Sequence, residues 1–245
     1  MRLLSTTGLL ALAGLLLCPS IVAAQSVTVA LEGGGGLTAR GVQLFALISV
    51  LSIAPGLAIM LTCFPFLVTV LSILRQALGL QQAPPNMLIV SLALFLTYFI
   101  MAPVFEEAWQ MGIAPLIAEE IPLETAVAET LTPLRGFMAA RTDGETYVTL
   151  AALRPETADS LLNQDAPLSL LVPSFLLSEI SRAFQIGFLI FLPFLIIDLV
   201  VAAVLMSMGM MMVPPAVVSL PFKLAFFVMA DGWRLLAEAL VRGYG

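Results

Sequence analysis

The sequence predicts an all-α integral membrane protein: four long, proline-kinked hydrophobic helical segments forming hairpins, plus a small acidic helical extramembrane segment. Three observations predict it. Hydrophobic residues fill 60% of the 245 positions and charged residues only 11%, with a mean hydropathy of +1.07, whereas soluble domains carry roughly a quarter charged residues. The apolar residues gather in four runs, Val42–Leu74, Asn86–Val104, Phe184–Met212 and Val217–Ala230, the first of which exceeds the ~20 residues needed to cross a bilayer. Eleven of the sixteen acids fall between Glu106 and Asp165, with only three arginines among them.

Residues 1–24 read as a secretory signal peptide. Met1-Arg2 is a positive start, Leu3–Leu17 an apolar core, and Val22-Ala23-Ala24 puts small residues before Gln25, which predicts cleavage after Ala24. The alternative is an uncleaved first span, for which the run is short. Cys18 follows Leu15-Leu16-Leu17 without the small residue that precedes a lipidated cysteine. Cys63 is then the only cysteine of the mature chain, and a buried apolar role is expected of it. Residues 25–40 are a flexible N-terminal segment. Their Gly33-Gly34-Gly35-Gly36 stretch lacks a Walker lysine or a dinucleotide fingerprint, so no phosphate site is expected.

Residues 41–105 form the first expected hairpin. Pro55 and Pro65 interrupt its first run, and proline removes a backbone donor, so a broken or bent helix ending at Arg75 is expected. Arg75–Pro85 turns the chain, and Pro103 with Glu106-Glu107 closes the second run. Residues 106–172 are the acidic segment, expected to be mostly helical and periplasmic. Residues 173–245 form the second hairpin, with Pro193 and Asp198 in its first arm, Pro214-Pro215 at the break, and Pro221 and Lys223 in the second. An amphipathic tail follows, whose Trp233 and Tyr244 suit a membrane interface. The signal peptide puts the mature N-terminus and the acidic segment outside the cytoplasm. The short inner loops hold Arg75 and no acid, in keeping with the positive-inside rule.

Composition also excludes functions. A net charge of −6 supplies no basic footprint for nucleic acid. With no histidine and two cysteines, zinc centres and imidazole acid–base catalysis drop out. No nucleophile–base pair supports an enzyme, and no metal or cofactor is expected.

Five ionisable residues stand in or beside the apolar runs: Glu179, Arg182, Asp198, Lys223 and Asp231. Each costs ~3 kcal/mol or more at membrane depth. Ion pairing that holds helices or subunits together is one reading, and a proton or ion pathway is the other. An isolated acid there would be protonated, a paired one ionised. Every apolar run contains proline, and an unwound backbone facing lipid leaves its polar groups unsatisfied, which implies burial in an assembly or beside a water-lined cavity. The cluster Met206, Met208, Met210, Met211 and Met212 surrounds Gly209. It reads either as core packing or as a deformable seal, since methionine is flexible and polarizable and apolar constrictions block ions by dewetting.

Three blocks carry a resemblance. The first runs Leu71-Ser72-Ile73-Leu74-Arg75-Gln76-Ala77-Leu78-Gly79 through Gln81-Gln82-Ala83-Pro84-Pro85-Asn86 to Phe99-Ile100-Met101-Ala102-Pro103. The second is Pro173-Ser174-Phe175-Leu176-Leu177-Ser178-Glu179-Ile180 with Ala183-Phe184-Gln185-Ile186-Gly187-Phe188. The third runs from Pro193-Phe194-Leu195-Ile196-Ile197-Asp198 through Met210-Met211-Met212-Val213-Pro214-Pro215 to Pro221-Phe222-Lys223 and Asp231-Gly232-Trp233. Together they resemble the FliP family, the export-gate subunit of bacterial flagellar type III secretion. Ser174 departs from the alanine expected there, and the acidic segment carries no matching motif.

The resemblance implies a helical oligomeric ring of roughly five copies with FliQ and FliR subunits and other export apparatus membrane proteins. That ring would conduct unfolded export substrates through the bacterial inner membrane at the flagellar basal body. The assembled gate would sit largely above the bilayer plane, so that the four segments pack in protein as well as lipid. Met210, Met211 and Met212 would be its gasket, and Glu179 and Lys223 a buried pair between neighbouring subunits. Arg182, Asp198 and Asp231 remain as further intramembrane ionisable groups. The counterpart subunit of injectisomes is usually shorter and lacks a clear signal peptide, so the flagellar form fits better. A small-solute transporter would often show an internal repeat, and none is visible.

Overall fold

The structure, a computed structural model, describes residues 41–244 apart from 43, 47, 50, 51, 53–55, 57, 58, 81–83, 159 and 211. The expected signal peptide, the flexible segment 25–40, Cys18, Pro55 and the gasket residue Met211 therefore lie outside the described residues. The chain divides into two units, Met1–Ile48 and Ser49–Gly245. In the first, residues 41, 42, 44–46 and 48 are helical and exposed. Everything below concerns the second, where every regular element among the described residues is helical.

Helix α1, Phe64–Ala77, starts where the apolar run was expected to bend. Leu61–Cys63 is a turn, in which the Thr62 hydroxyl donates to the Ile59 carbonyl at 2.7 Å. Pro65 sits in the first turn of α1, where its missing N–H would have had no intrahelical partner anyway. Proline thus begins this helix rather than kinking it. Gly79, at φ +76°, lets the chain reverse beyond Ala77, and its N–H donates to the Gln76 carbonyl at 3.0 Å. Phe66, Leu67, Val70, Leu71, Leu74 and Ala77 are all buried, which makes α1 the central strut of the bundle. Gly187 lies against it, so close that a Cβ there would stand 2.4 Å from the Ile73 side chain.

Helix α2 spans Asn86–Ile117. It passes straight through Pro103 and Glu106-Glu107, because one internal proline removes only one ladder bond. A π-type turn, Trp109–Ile113, interrupts it near the end. There Gly112 meets helix α3, Leu123–Arg141. A Cβ on Gly112 would stand 2.0 Å from Thr130 Oγ1, 2.6 Å from the Ala126 carbonyl and 2.7 Å from the Thr130 nitrogen. Two of those atoms are backbone, so the helices themselves must part. Gly112→Ala is expected to cost about 1–3 kcal/mol, the usual range for overpacking. Thermal unfolding of the purified protein in detergent measures it, with Gly144→Ala as the control because a Cβ at Gly144 meets open space. Equal melting temperatures for the two variants would refute the close packing.

The acidic segment is helical, as expected. After α3 comes α4, Gly144–Ala151, capped by Asp143. The cap accepts the Thr146 N–H at 2.8 Å and the Thr146 hydroxyl at 2.9 Å, and these bonds hold its carboxyl below the usual value. Tyr147 and Ala151 of α4 pack with Met138 of α3 and with Leu171 and Phe175 into a small core of their own.

Helix α5, Leu168–Ser207, is 40 residues long, about 60 Å at 1.5 Å per residue. It begins inside the acidic segment and far exceeds the ~30 Å hydrocarbon core. Helix α6, Pro215–Met229, returns beside it, and α7, Gly232–Arg242, closes the chain onto α1. The main core joins Leu67, Val70 and Leu74 of α1 to Ala93 of α2, Ala183 and Phe194 of α5, Phe227 of α6 and Leu240 of α7. Leu236 and Leu240 of α7 face inward, while Arg234, Glu238 and Arg242 face out.

Four membrane spans were expected. Among the described residues only α2 and α5 are long and apolar enough to cross a bilayer. Helices α1 and α6, at 14 and 15 residues, rise about 21–22 Å. The turn before Pro65 shortens the first. Pro214-Pro215 on one side and Asp231, at φ +50°, on the other limit the second. Along α5, Phe184, Phe188, Leu189, Ile196, Leu199 and Val200 are exposed. An apolar face of that extent belongs against lipid or other protein.

Candidate functional site

The α5–α6 hairpin ends in the methionine loop. Helix α5 stops as Met208 and Gly209 donate their N–H groups to the Val204 and Met206 carbonyls at 3.1 Å each, and Met210 donates to Leu205 at 3.0 Å. Gly209, at φ +76°, takes the left-handed conformation that commonly ends a helix. Pro214 and Pro215 then start α6, so the loop is short and bounded by stiff residues. Met212 is 98% exposed and Met210 42%, so neither is packed in the core of its own chain. Met208 and Met210 also border an apolar groove of about 580 Å³ that runs down the hairpin past Leu205, Val201, Ile197 and Phe222. Such a tip has no group for bond chemistry. It offers soft, polarizable surface.

Below the loop, the hairpin carries a buried polar cluster. Lys223 of α6 donates to Asp198 Oδ2 at 2.6 Å and to the Ala77 carbonyl at the end of α1 at 3.0 Å. The hydroxyl of Ser219, one helical turn before Lys223, donates to Asp198 Oδ1 at 2.6 Å. Ser219 is fully buried and Lys223 nearly so, whereas the Asp198 side chain keeps 31% of its surface. Three helices therefore meet at one ion pair.

Glu179 lies elsewhere on α5, completely buried. Its Oε1 is 3.5 Å from Arg141 Nε at the end of α3, and its Oε2 accepts the Tyr244 hydroxyl. The Arg141 guanidinium also stacks over the Tyr244 ring, 4.0 Å from its centre, and donates to the Gly243 carbonyl at 2.7 Å. The Tyr244 ring packs edge-on against Phe66 and parallel to Phe137. Burial, together with the Glu179 charge, pushes the Tyr244 phenol up, which keeps it a donor. Tyr244 was expected at a membrane interface, but its hydroxyl has a better partner inside.

Within one chain, then, Glu179 and Lys223 do not pair with each other. Each has an acid or base of its own, because α5 holds Glu179 level with α3 and Asp198 level with α6. Arg182 is half-buried on α5 and adds to the field that lowers the Asp143 carboxyl. Asp231 is exposed and pairs with Arg234 at 2.7 Å, so it sits at a surface turn rather than in the interior. The following Gly232 leaves no room for a side chain, since a Cβ would come 2.2 Å from the Phe227 ring.

Sequence reasoning missed Arg141 and Ser219, and it read Tyr244 as an interface residue and not as a partner of Glu179. Ser219 had a usable signal: it precedes Lys223 by four residues, which puts both on one helical face. Arg141 and Tyr244 had none, since only the folded chain brings them to Glu179. No group of three histidine, cysteine or acidic side chains able to hold a metal forms among the described residues.

Residues 47–240 match the profile of the FliP family. The chain is 50% identical over 231 residues to the flagellar biosynthetic protein FliP of Caulobacter vibrioides, covering 92% of this chain and 85% of the relative. It is 46% identical to the FliP of Rhizobium meliloti, over 86% of each chain. It is also 46% identical to that of Bacillus subtilis, over 83% of this chain and 91% of the relative.

Proposed function

Because the chain belongs to the FliP family, we propose that it is a non-enzymatic core subunit of the flagellar protein-export gate, and that it forms part of a polypeptide channel. About five copies would surround an axis together with FliQ and FliR subunits, in the bacterial inner membrane at the flagellar basal body. The exposed apolar face of α5 is the surface such neighbours and lipid would cover. In this reading residues 1–24 are removed on export, residues 25–40 are a lead-in, and residues 41–105 and 173–245 are the two hairpins. The acidic segment 106–172 stands on the periplasmic side. The curated relatives are flagellar by name, which favours this over an injectisome subunit.

The observation that carries the channel reading is the methionine loop. Met210 and Met212 stand exposed at the tip of the α5–α6 hairpin, where copies brought round an axis would close Met210, Met211 and Met212 into a ring. An apolar ring excludes ions by dewetting, and flexible thioethers can reseal around an unfolded chain of any sequence. Export substrates would be gripped by shape, without hydrogen-bonded recognition.

The test is small-ion leakage across membranes of cells in which all three methionines are changed to alanine, with export assayed in parallel. Leakage is expected to rise at least severalfold while export persists. An assembled complex that stays ion-tight would overturn the seal.

A further inference from the structure

The buried cluster beneath the loop suggests a role of its own. Apart from Asp198, Ser219 and Lys223, the facing surfaces of α5 and α6 around the groove are aliphatic and aromatic: Ile197, Val201, Leu205, Val218 and Phe222. Contacts of that kind are non-directional. They tolerate one helix sliding along the other, and each residue of slip moves a helix end by about 1.5 Å. A polar group placed once in an apolar interface removes that freedom, because only one register satisfies it.

We infer that Ser219, acting through Asp198, is a positioning residue that sets the register of the α5–α6 hairpin and so the height of the methionine loop at its tip. The geometry is specific. Asp198 uses both carboxylate oxygens, Oδ1 for Ser219 and Oδ2 for Lys223, and so binds two successive turns of α6. Lys223 in turn reaches the Ala77 carbonyl, which ties the hairpin to the end of α1. A slide of α6 by one residue, about 1.5 Å, would break the Ser219–Asp198 bond, which a one-carbon side chain cannot stretch to keep, whereas the flexible four-carbon stem of Lys223 can follow the shift. The cluster thus works as a two-point clamp, with Lys223 holding the hairpin to the bundle and Ser219 fixing its register. Ser219 is fully buried, and its hydroxyl meets Asp198 and, at 3.2 Å, the Ala216 carbonyl of its own helix, so it acts by placing the methionine loop and not by meeting what would pass it.

This inference rests on the seal proposed above, and the experiment separates the two. Ser219→Ala removes one hydroxyl, leaves the Asp198–Lys223 ion pair, and adds no bulk. Cells carrying Ser219→Ala, the triple methionine-to-alanine variant or the unaltered chain are compared for small-ion leakage. The amount of assembled complex is measured on native gels in each. Ser219→Ala is expected to assemble in unchanged amount yet leak severalfold more than the unaltered chain. A tight Ser219→Ala complex beside a leaking methionine variant overturns the register role and leaves the seal standing. Two tight complexes overturn the seal and the clamp together. Loss of assembly from Ser219→Ala would make the hydroxyl a plain structural contact, and overturns the register role as well.

Discussion

Glu179→Ala is expected to destabilise the chain by about 3–5 kcal/mol, the cost of leaving one partner of a buried ion pair behind. Arg141, only 16% exposed at its side chain, would lose its counter-charge, and the Tyr244 hydroxyl would lose its acceptor. That junction joins α3, α5 and the segment after α7, so the damage should spread along all three. Thermal unfolding of the purified protein measures the loss. Tyr244→Phe is the companion variant. It keeps the stacking on Arg141 and Phe137 and removes a single hydrogen bond to a charged group, worth about 1.5–3 kcal/mol. A Glu179→Ala protein that melts with the unaltered one would mean that the junction contributes nothing.

Lys223→Ala is expected to cost about 2–3 kcal/mol, less than the ~3–5 kcal/mol of a fully buried pair, because Asp198 is one-third exposed and water can reach the abandoned carboxylate. The variant also strips the Ala77 carbonyl of its donor. Two double-mutant cycles say which acid Lys223 serves. Coupling to Asp198 should be large, since the two are 2.6 Å apart. Coupling to Glu179 should be within a few tenths of a kcal/mol, as for sites that share no partner. A large Lys223–Glu179 coupling in the assembled complex, with none to Asp198, would restore the pair between neighbouring subunits and overturn the intrachain assignment.

Much of the fold was legible in the sequence because lipid-like composition and proline punctuation are local signals. The four apolar runs each contain a helix, the acidic stretch is helical, and Pro214-Pro215 begins α6. Element ends were less legible. Pro103 and Pro65 look alike in sequence, yet one lies inside α2 and the other in the first turn of α1. The difference is whether the preceding residues keep the helical ladder, and the Thr62–Ile59 bond diverts it in only one of them. Whether a run is a span was likewise undecidable from apolarity alone, since α1 is apolar because the bundle buries it.

The residues needing partners could be named from sequence, because a charge among apolar neighbours is costly wherever it lies. Who partners whom could not. Glu179 meets Arg141 and Tyr244, which lie 38 residues before it (179 − 141) and 65 after it. Lys223 meets Asp198 and a carbonyl 146 residues away. Sequence by itself determined that this chain is helical, lipid-compatible, poor in catalytic groups and a member of its family, since these follow from composition and local order. Only the tertiary structure decided the pairings, which helices are long enough to cross a bilayer and how far Met210 and Met212 stand exposed, because each depends on how helices stack, and stacking joins residues that the chain keeps far apart.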